Sequence, residues 1–321
     1  MFSFSELSKE FNTRFSVNHF PNSPKNLYEP CNYFLGIGGK RVRPVLCLMG
    51  CNLFGEINPD AWHVANAVEL FHNFTLIHDD MMDAASLRRG MQTVHTKYNS
   101  NIAILAGDVM MIQSIEVLNK IHHSYLQNIL GLFNKTAREV CEGQQMDMDF
   151  ETQEVVELDE YIEMINLKTS VLLAASLQMG GILGGASEGN CLHLYEFGRN
   201  LGIAFQIQDD YLDAFGNPEK FGKEVGGDIK QNKKTFLFLH ALEVANEQQK
   251  REMQRLITEN PANKVEQMLQ IFKDCGVDVW ANELKEKYFK IAMKHLDDIA
   301  VISARKTPLK ELAEFLIVRE N

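Results

Sequence analysis

The chain has 321 residues, of which 45% are hydrophobic and 23% charged, and its 32 Lys and Arg against 43 Asp and Glu give a formal net charge of -11. This composition excludes dominant disorder, collagen-like repeats and a disulfide scaffold, and the acidic balance argues against a nucleic-acid binder. An acidic protein that binds an anion needs local cations or a metal to do so.

The opening segment, MFSFSELSKEFNTRF, lacks a basic stretch followed by an apolar one, so no secretory leader is expected. Together with six scattered cysteines, this suggests a reducing, cytoplasmic setting. The prolines and turn residues between 21 and 30 mark a break. A helix is expected over 41–54. Cys47 and Cys51 stand four apart within it, but no CxxC pair accompanies them, and they read as small buried hydrophobes. A second break covers 55–59.

None of the eight prolines falls between 60 and 217. Since proline disrupts helix interiors, this gap permits long helices. The run AWHVANAVELFHNFTLIHDDMMDAASL has apolar residues at mixed three- and four-residue steps, the helical period. Pro59 and Asp60 supply its start signals. If helical throughout, it spans about 40 Å at 1.5 Å per residue. After a break at 86–100, helices are expected over 101–121, 124–149, 159–184 and 188–213. Thr169 to Ser187 carries no charge and is long enough to cross a bilayer. Its Gln178, Gly180, Gly181, Gly184 and Gly185 instead suggest a buried helix with small residues for close packing. Beyond a break at 216–232, helices are expected over 233–248, 262–274, 278–300 and 308–319. The last would begin with Thr307 as N-cap and Pro308 at the first helical position. No alternating strand pattern, short repeat or domain boundary appears. The expectation is an all-α helical bundle forming one domain over 1–321.

Two pentads share one pattern: Asp79-Asp80-Met81-Met82-Asp83 and Asp209-Asp210-Tyr211-Leu212-Asp213. Helical residues four apart lie on one edge, so Asp79 pairs with Asp83 and Asp209 with Asp213. Carboxylates in apolar surroundings, close to like charges, are unfavourable unless neutralised. A hard divalent cation removes both penalties, and Mg²⁺ typically takes one or two carboxylates, waters and phosphate oxygens. The two pentads therefore predict a shared Mg²⁺ site.

Cations suited to phosphate accompany them. Lys40 and Arg43 follow the glycines of GIGGKRVRP at the start of a helix, where free N–H groups favour an anion. Arg88 and Arg89 follow the first acidic helix, and arginine suits bidentate phosphate contact. His72 lies seven residues before Asp79, within about 20° on the helical wheel. Lys168 and Thr169 open the uncharged stretch. Lys223 and the loop GGDIKQNKKT, with Asp228, Lys230, Lys233 and Lys234, follow the second pentad and read as a lid over bound phosphate.

In order, these motifs are GGKRVRP, His72 seven before DDMMD, RRG, Lys168-Thr169, and Gln206 ahead of DDYLD. From 36 to 235 the chain resembles the trans-polyprenyl diphosphate synthases, the short-chain isoprenoid-elongating enzymes. The resemblance implies the all-α isoprenoid synthase bundle, a homodimer, and about three Mg²⁺ ions. It implies that Lys40, Arg43, His72 and Arg89 hold the diphosphate of isopentenyl diphosphate. It assigns Arg88, Lys168 and Lys223 to the allylic diphosphate, with Lys233 also counted among the substrate-binding residues. Asp79, Asp83 and Asp209 match the principal metal ligands, with Asp213 assisting; Thr169 and Gln206 match polar groups near a developing carbocation. Where the family often has proline after RRGx, this chain has Gln92, which puts the stiffness of that loop in question.

In such enzymes the residues four and five before the first aspartate limit product length; here they are Thr75 and Phe74, with Phe71 deeper. One aromatic beside one small residue suggests a C20 product, with C15 next. Competing readings are a class I terpene cyclase, a non-catalytic partner subunit, and a phosphohydrolase built on His78-Asp79. A cyclase would normally replace the second pentad by an Asn/Ser/Glu triad, a partner subunit would have lost acidic motifs, and a phosphohydrolase leaves DDYLD unexplained.

Overall fold

The computed structural model describes residues 1–15, 19–216 and 225–318. The described chain is all-α apart from one two-stranded ribbon. In order, it comprises α1 (Phe4–Arg14), α2 (Lys25–Gly36), α3 (Val42–Asn52), α4 (Pro59–Met82), β1 (Leu87–Arg88), β2 (Met91–Gln92), α5 (Val94–Lys97), α6 (Ser100–Leu118), α7 (His123–Thr152) and α8 (Leu158–Ile165). A π-helical turn (Asn166–Ser170) leads into α9 (Val171–Leu183). There follow α10 (Glu188–Phe215), α11 (Gly227–Lys230), α12 (Phe236–Val244), α13 (Glu247–Glu259), α14 (Lys264–Asp274), α15 (Val277–Asp298) and α16 (Ser303–Val318).

Local chemistry sets many of these starts. Ser3 and Glu6 form a capping box on α1, and Asn246 and Gln249 form one on α13; each satisfies helix N–H groups that lack internal partners. Asn58 caps α4 ahead of Pro59, and Asn99 caps α6.

Two compact units are defined by contacts. The first contains Met1–Phe133, Ser176–Leu192 and Val301–Leu309. Here α4 packs on α6 and α3, α2 on α6, and α1 on α3. The C-terminal half of α9 meets α3 backbone to backbone: a Cβ on Gly180 would lie 2.0 Å from the Cys47 carbonyl oxygen. The small residues of the uncharged stretch thus serve close packing, as expected. Cys47 and Cys51 are buried at this contact, and burial raises both thiol pKa values. Among the described residues, one helix, α6, is long and apolar enough to cross a membrane.

The second unit contains Asn134–Ala175, His193–Ala300 and Lys310–Asn321. Its core joins Tyr161 and Ile165 of α8, Ile203 and Ile207 of α10, Phe236 of α12, Met253 and Leu256 of α13, and Phe272 of α14.

Several boundaries differ from expectation. Helix α2 occupies much of the expected break at 21–30 and contains Pro30. An interior proline removes one donor and crowds the carbonyl four residues earlier, a cost that burial of Cys31, Phe34 and Leu35 offsets. Helix α4 stops at Met82, short of the expected end, because Ala84 adopts a left-handed φ of 49° and Ala85 N–H donates to the Asp80 carbonyl. The 159–184 helix is interrupted by the π turn, and the expected 233–248 helix ends at Val244, with α13 following as a separate helix. Thr307 is not an N-cap: α16 begins at Ser303 and encloses Pro308. Arg305 secures that earlier start by donating to the carbonyls of Asn52, Leu53 and Gly55.

Candidate active site

In the first unit, the end of α4 presents Asp79 half-buried and Asp83 exposed, while Asp80 between them is buried. Asp80 accepts from Arg88 Nε at 2.8 and 2.9 Å and pairs with its terminal nitrogen at 2.7 Å. Arg88 is therefore oriented by the middle aspartate of the pentad. The RRG segment is not a simple helix cap. It forms a hairpin with Leu87 opposite Gln92 and Arg88 opposite Met91. Arg89 and Gly90 both take positive φ, as a two-residue type I′ turn requires. Tyr33 Oη donates to the Gln92 carbonyl at 2.7 Å, and Thr93 Oγ1 donates to Ala85 O at 2.8 Å. These bonds brace the ribbon at Gln92.

The glycine-rich segment lies against this ribbon. A Cβ on Gly39 would fall 2.8 Å from the Arg89 guanidinium, so glycine permits that approach. Lys40 is exposed and Arg43 half-buried, whereas Arg41 is buried and paired with Glu69. Arg43 Nη1 lies 3.2 Å from His72 Nε2. Arginine can only donate, so Nε2 accepts and the neutral imidazole carries its proton on Nδ1. Burial, followed by the charges of Arg43, Arg89, Arg88 and Arg41, holds His72 well below the usual histidine range. Burial also lowers Arg43 to about 10, opposed by Glu69 and Asp79. Arg43 Nε is buried without a hydrogen-bond partner among the described residues. An unmet buried donor in a basic corner suits an anionic oxygen.

One helical turn before Asp79, Thr75 donates to the His72 carbonyl at 2.9 Å. Phe74 is half-buried and packs edge-on to His78 at 4.9 Å. Phe71 is fully buried between Phe74 and Phe133, with centroid distances of 5.5 and 5.2 Å.

In the second unit, the same division holds within the DDYLD pentad. Asp209 and Asp213 are half-buried, while Asp210 is buried. Asp210 accepts from Tyr161 Oη at 2.5 Å and Gln206 Nε2 at 2.9 Å. Thr169 Oγ1 extends the series, donating to Gln206 Oε1 at 3.4 Å. Burial, then the charge of Asp228, raises the Asp210 pKa well above the usual carboxylate range. The π turn carries Lys168 and Thr169. Gly143 allows α7 to approach it so closely that a Cβ there would lie 2.3 Å from Lys168 N. Lys168 Nζ meets Asp147 at 2.5 Å. Asp213 Oδ2 accepts from the Asp228 N–H at 3.0 Å, and Lys233 pairs with Asp228 at 3.7 Å. Lys234 donates to the Phe150 carbonyl at 2.9 Å and to that of Gln153, fastening the loop to the end of α7. Lys223 lies outside the described residues.

Sequence reasoning singled out Lys40, Arg43, His72, Arg89, Thr169 and Gln206, but missed Tyr161, Asp147 and the structural duties of Asp80 and Asp210. Asp147 carried a weak signal: in MDMD, two acids two apart face different sides of a helix. Among the described residues, no three His, Cys, Asp or Glu side chains form a ready-made metal cage. The outer aspartates nonetheless suit Mg²⁺, which takes hard oxygen ligands and completes its shell with water and substrate phosphate.

A model of the polyprenyl synthetase family matches residues 24–275. A geranylgeranyl pyrophosphate synthase of Geoglobus acetivorans is 38% identical over 301 residues, covering 93% of this chain and 92% of that protein. A crystal structure of a geranylgeranyl pyrophosphate synthase superposes with a TM-score of 0.94 at 41% identity, covering 100% of both chains. A geranylgeranyl pyrophosphate synthetase from Pyrococcus horikoshii gives 0.92 at 35% identity, with 98% of each chain covered.

Proposed function

The chain belongs to the polyprenyl synthetase family and has its isoprenoid synthase fold, and from that premise we propose that it condenses isopentenyl diphosphate with an allylic diphosphate to give a C20 all-trans prenyl diphosphate. The observation that carries this reading is the basic corner of Arg43, His72 and Arg89, which Lys40 adjoins in sequence, with an Arg43 donor unmet among the described residues, in a chain that also bears two outward aspartate pairs. In it Arg43 Nε, the Nδ1–H of His72, Lys40 and Arg89 grip the diphosphate of isopentenyl diphosphate. Arg88, oriented by Asp80, joins Lys168, Lys223 and Lys233 on the allylic diphosphate. The relatives lend no support to a cyclase or a non-catalytic partner subunit.

Asp79, Asp83 and Asp209, assisted by Asp213, would hold about three Mg²⁺ ions, which when bound neutralise charge on the leaving diphosphate. The allylic C–O bond breaks with its electron pair going to diphosphate. The isopentenyl double bond attacks the allylic cation, forming the new C–C bond, and a proton passes to the departing diphosphate. Thr169 and Gln206, already linked through Asp210 to Tyr161, present fixed dipoles toward the developing cation. The apolar helices exclude water that would otherwise capture it. The chain works as one polyprenyl synthetase domain over 1–321, in the cytoplasm, as a homodimer; exposed Ile104, Leu105 and Ile112 on α6 supply an apolar face for a second copy.

Mass spectrometry of products made from isopentenyl diphosphate and several allylic primers, with and without EDTA, tests the reading. Turnover undiminished by EDTA contradicts it. The same assay tests product length: Phe74→Ala lengthens the product by one or more five-carbon units and Thr75→Phe shortens it. An unchanged distribution in both variants puts the floor of the tunnel elsewhere.

The two diphosphate sites are separable by kinetics. Charge-assisted hydrogen bonds contribute about 1.5–3 kcal/mol, so Arg43→Ala raises KM for isopentenyl diphosphate roughly tenfold or more. Lys168→Ala raises KM mainly for the allylic substrate. Equal effects of each substitution on both KM values would indicate a single shared site.

A further inference from the structure

Lys264 is placed where neither burial nor helix electrostatics favours a cation. It is the first residue of α14, at the helix end that repels positive charge, and only 3% of its surface is exposed. Its ammonium has three oxygen partners among the described residues, none of them a carboxylate: Asn232 Oδ1 at 2.5 Å, Asn260 Oδ1 at 3.2 Å and the Lys230 carbonyl at 3.4 Å. Both asparagines adopt left-handed backbone, with φ of 58° and 46°. Lys264 therefore ties the end of α13 to the turn that follows α11.

That turn holds Asp213. Gly226 N–H donates to the Asp213 backbone carbonyl at 2.6 Å, and Asp228 N–H to its carboxylate at 3.0 Å. On its other side the turn rests on α14: a Cβ on Gly226 would lie 2.3 Å from Val265 Cγ1. A small hollow lined by Ile229, Asn232, Lys233, Thr235, Met268 and Phe272 adjoins it.

We propose that Lys264 is a positioning residue for the second acidic cluster, acting through Asn232 and the 226–232 turn to set the Asp213 carboxylate for Mg²⁺-diphosphate. This inference rests on the metal-ligand reading given above.

The test uses the whole chain, with Mg²⁺ and inorganic diphosphate as the probe. The thermal shift produced by the pair is measured as Mg²⁺ is titrated, alongside steady-state kinetics. Lys264→Met and Asn232→Gly each raise the Mg²⁺ needed for the half-maximal shift about tenfold. Glycine accepts the positive φ at 232, so this variant decides the matter if Lys264→Met fails to fold. Both leave KM for isopentenyl diphosphate and the melting temperature of the ligand-free protein near wild type. The double variant is no worse than either single one, because both remove the same contact, and Lys264→Arg restores part of the shift. A purely structural role would instead lower the ligand-free melting temperature and spare the Mg²⁺ dependence. Wild-type Mg²⁺ dependence in both variants overturns the positioning role alone. A wild-type protein that shows no Mg²⁺-dependent diphosphate shift overturns the functional reading beneath it as well.

Discussion

Asp79→Ala and Asp209→Ala each lower kcat by at least about 100-fold, equivalent to about 2.7 kcal/mol of barrier. The expectation follows from the division of labour inside each pentad. Asp80 and Asp210 are buried and committed to Arg88, and to Tyr161 and Gln206, respectively. The proposed metal role therefore falls on the outer aspartates. Losing an outer carboxylate removes a proposed Mg²⁺ ligand while leaving these interior contacts in place, so unfolding curves should stay close to wild type as turnover collapses. Single-turnover rates at saturating Mg²⁺ and both substrates provide the measurement. Near-normal kcat in either variant contradicts the metal assignment.

Glu69→Ala acts on stability instead. Arg41 and Glu69 are 7% and 4% exposed and form a direct ion pair. Glu69 Oε1 also accepts from Asn73 Nδ2 at 3.1 Å. Removing one partner of a buried pair strands the other charge and typically costs about 3–5 kcal/mol. Among the described residues, Arg41 would keep the hydrogen bonds to Asn12 Oδ1 at 3.3 Å and the Leu35 carbonyl at 3.5 Å. The variant should melt about 4–7 °C lower, with Glu69→Gln intermediate because it retains hydrogen bonding without the charge. Arg41 stands between Lys40 and Arg43, so KM for isopentenyl diphosphate should also rise. A loss below about 1 kcal/mol by urea unfolding would show that the pair is not an anchor.

The all-α class was legible because the long proline-free interval and the three- and four-residue apolar steps admit little else. The outer aspartates were legible for a related reason: helical spacing alone puts Asp79 with Asp83 and Asp209 with Asp213 on common edges. Arg43 and His72 could be singled out from their positions beside the glycine turn and on the stripe leading to Asp79. Element ends were less legible. The start of α16 depends on Arg305 reaching carbonyls some 250 residues earlier in the chain, and α2 survives Pro30 because the surrounding core buries its neighbours.

What the sequence determined by itself was therefore a set of helices and the chemistry they carry, since spacing and residue type are local properties. Which of two adjacent aspartates turns inward was decided by tertiary structure. Asp210 is held by a tyrosine 49 residues away, and Asp80 by an arginine on a hairpin that no strand pattern announced. The same holds for the two arginines of GGKRVRP: Arg41 is buried because Glu69 of α4 meets it, whereas Arg43 has a buried donor unmet among the described residues. The cost of burying a charge is set by the partner that reaches it, and that partner lies on another element whose placement only packing can supply.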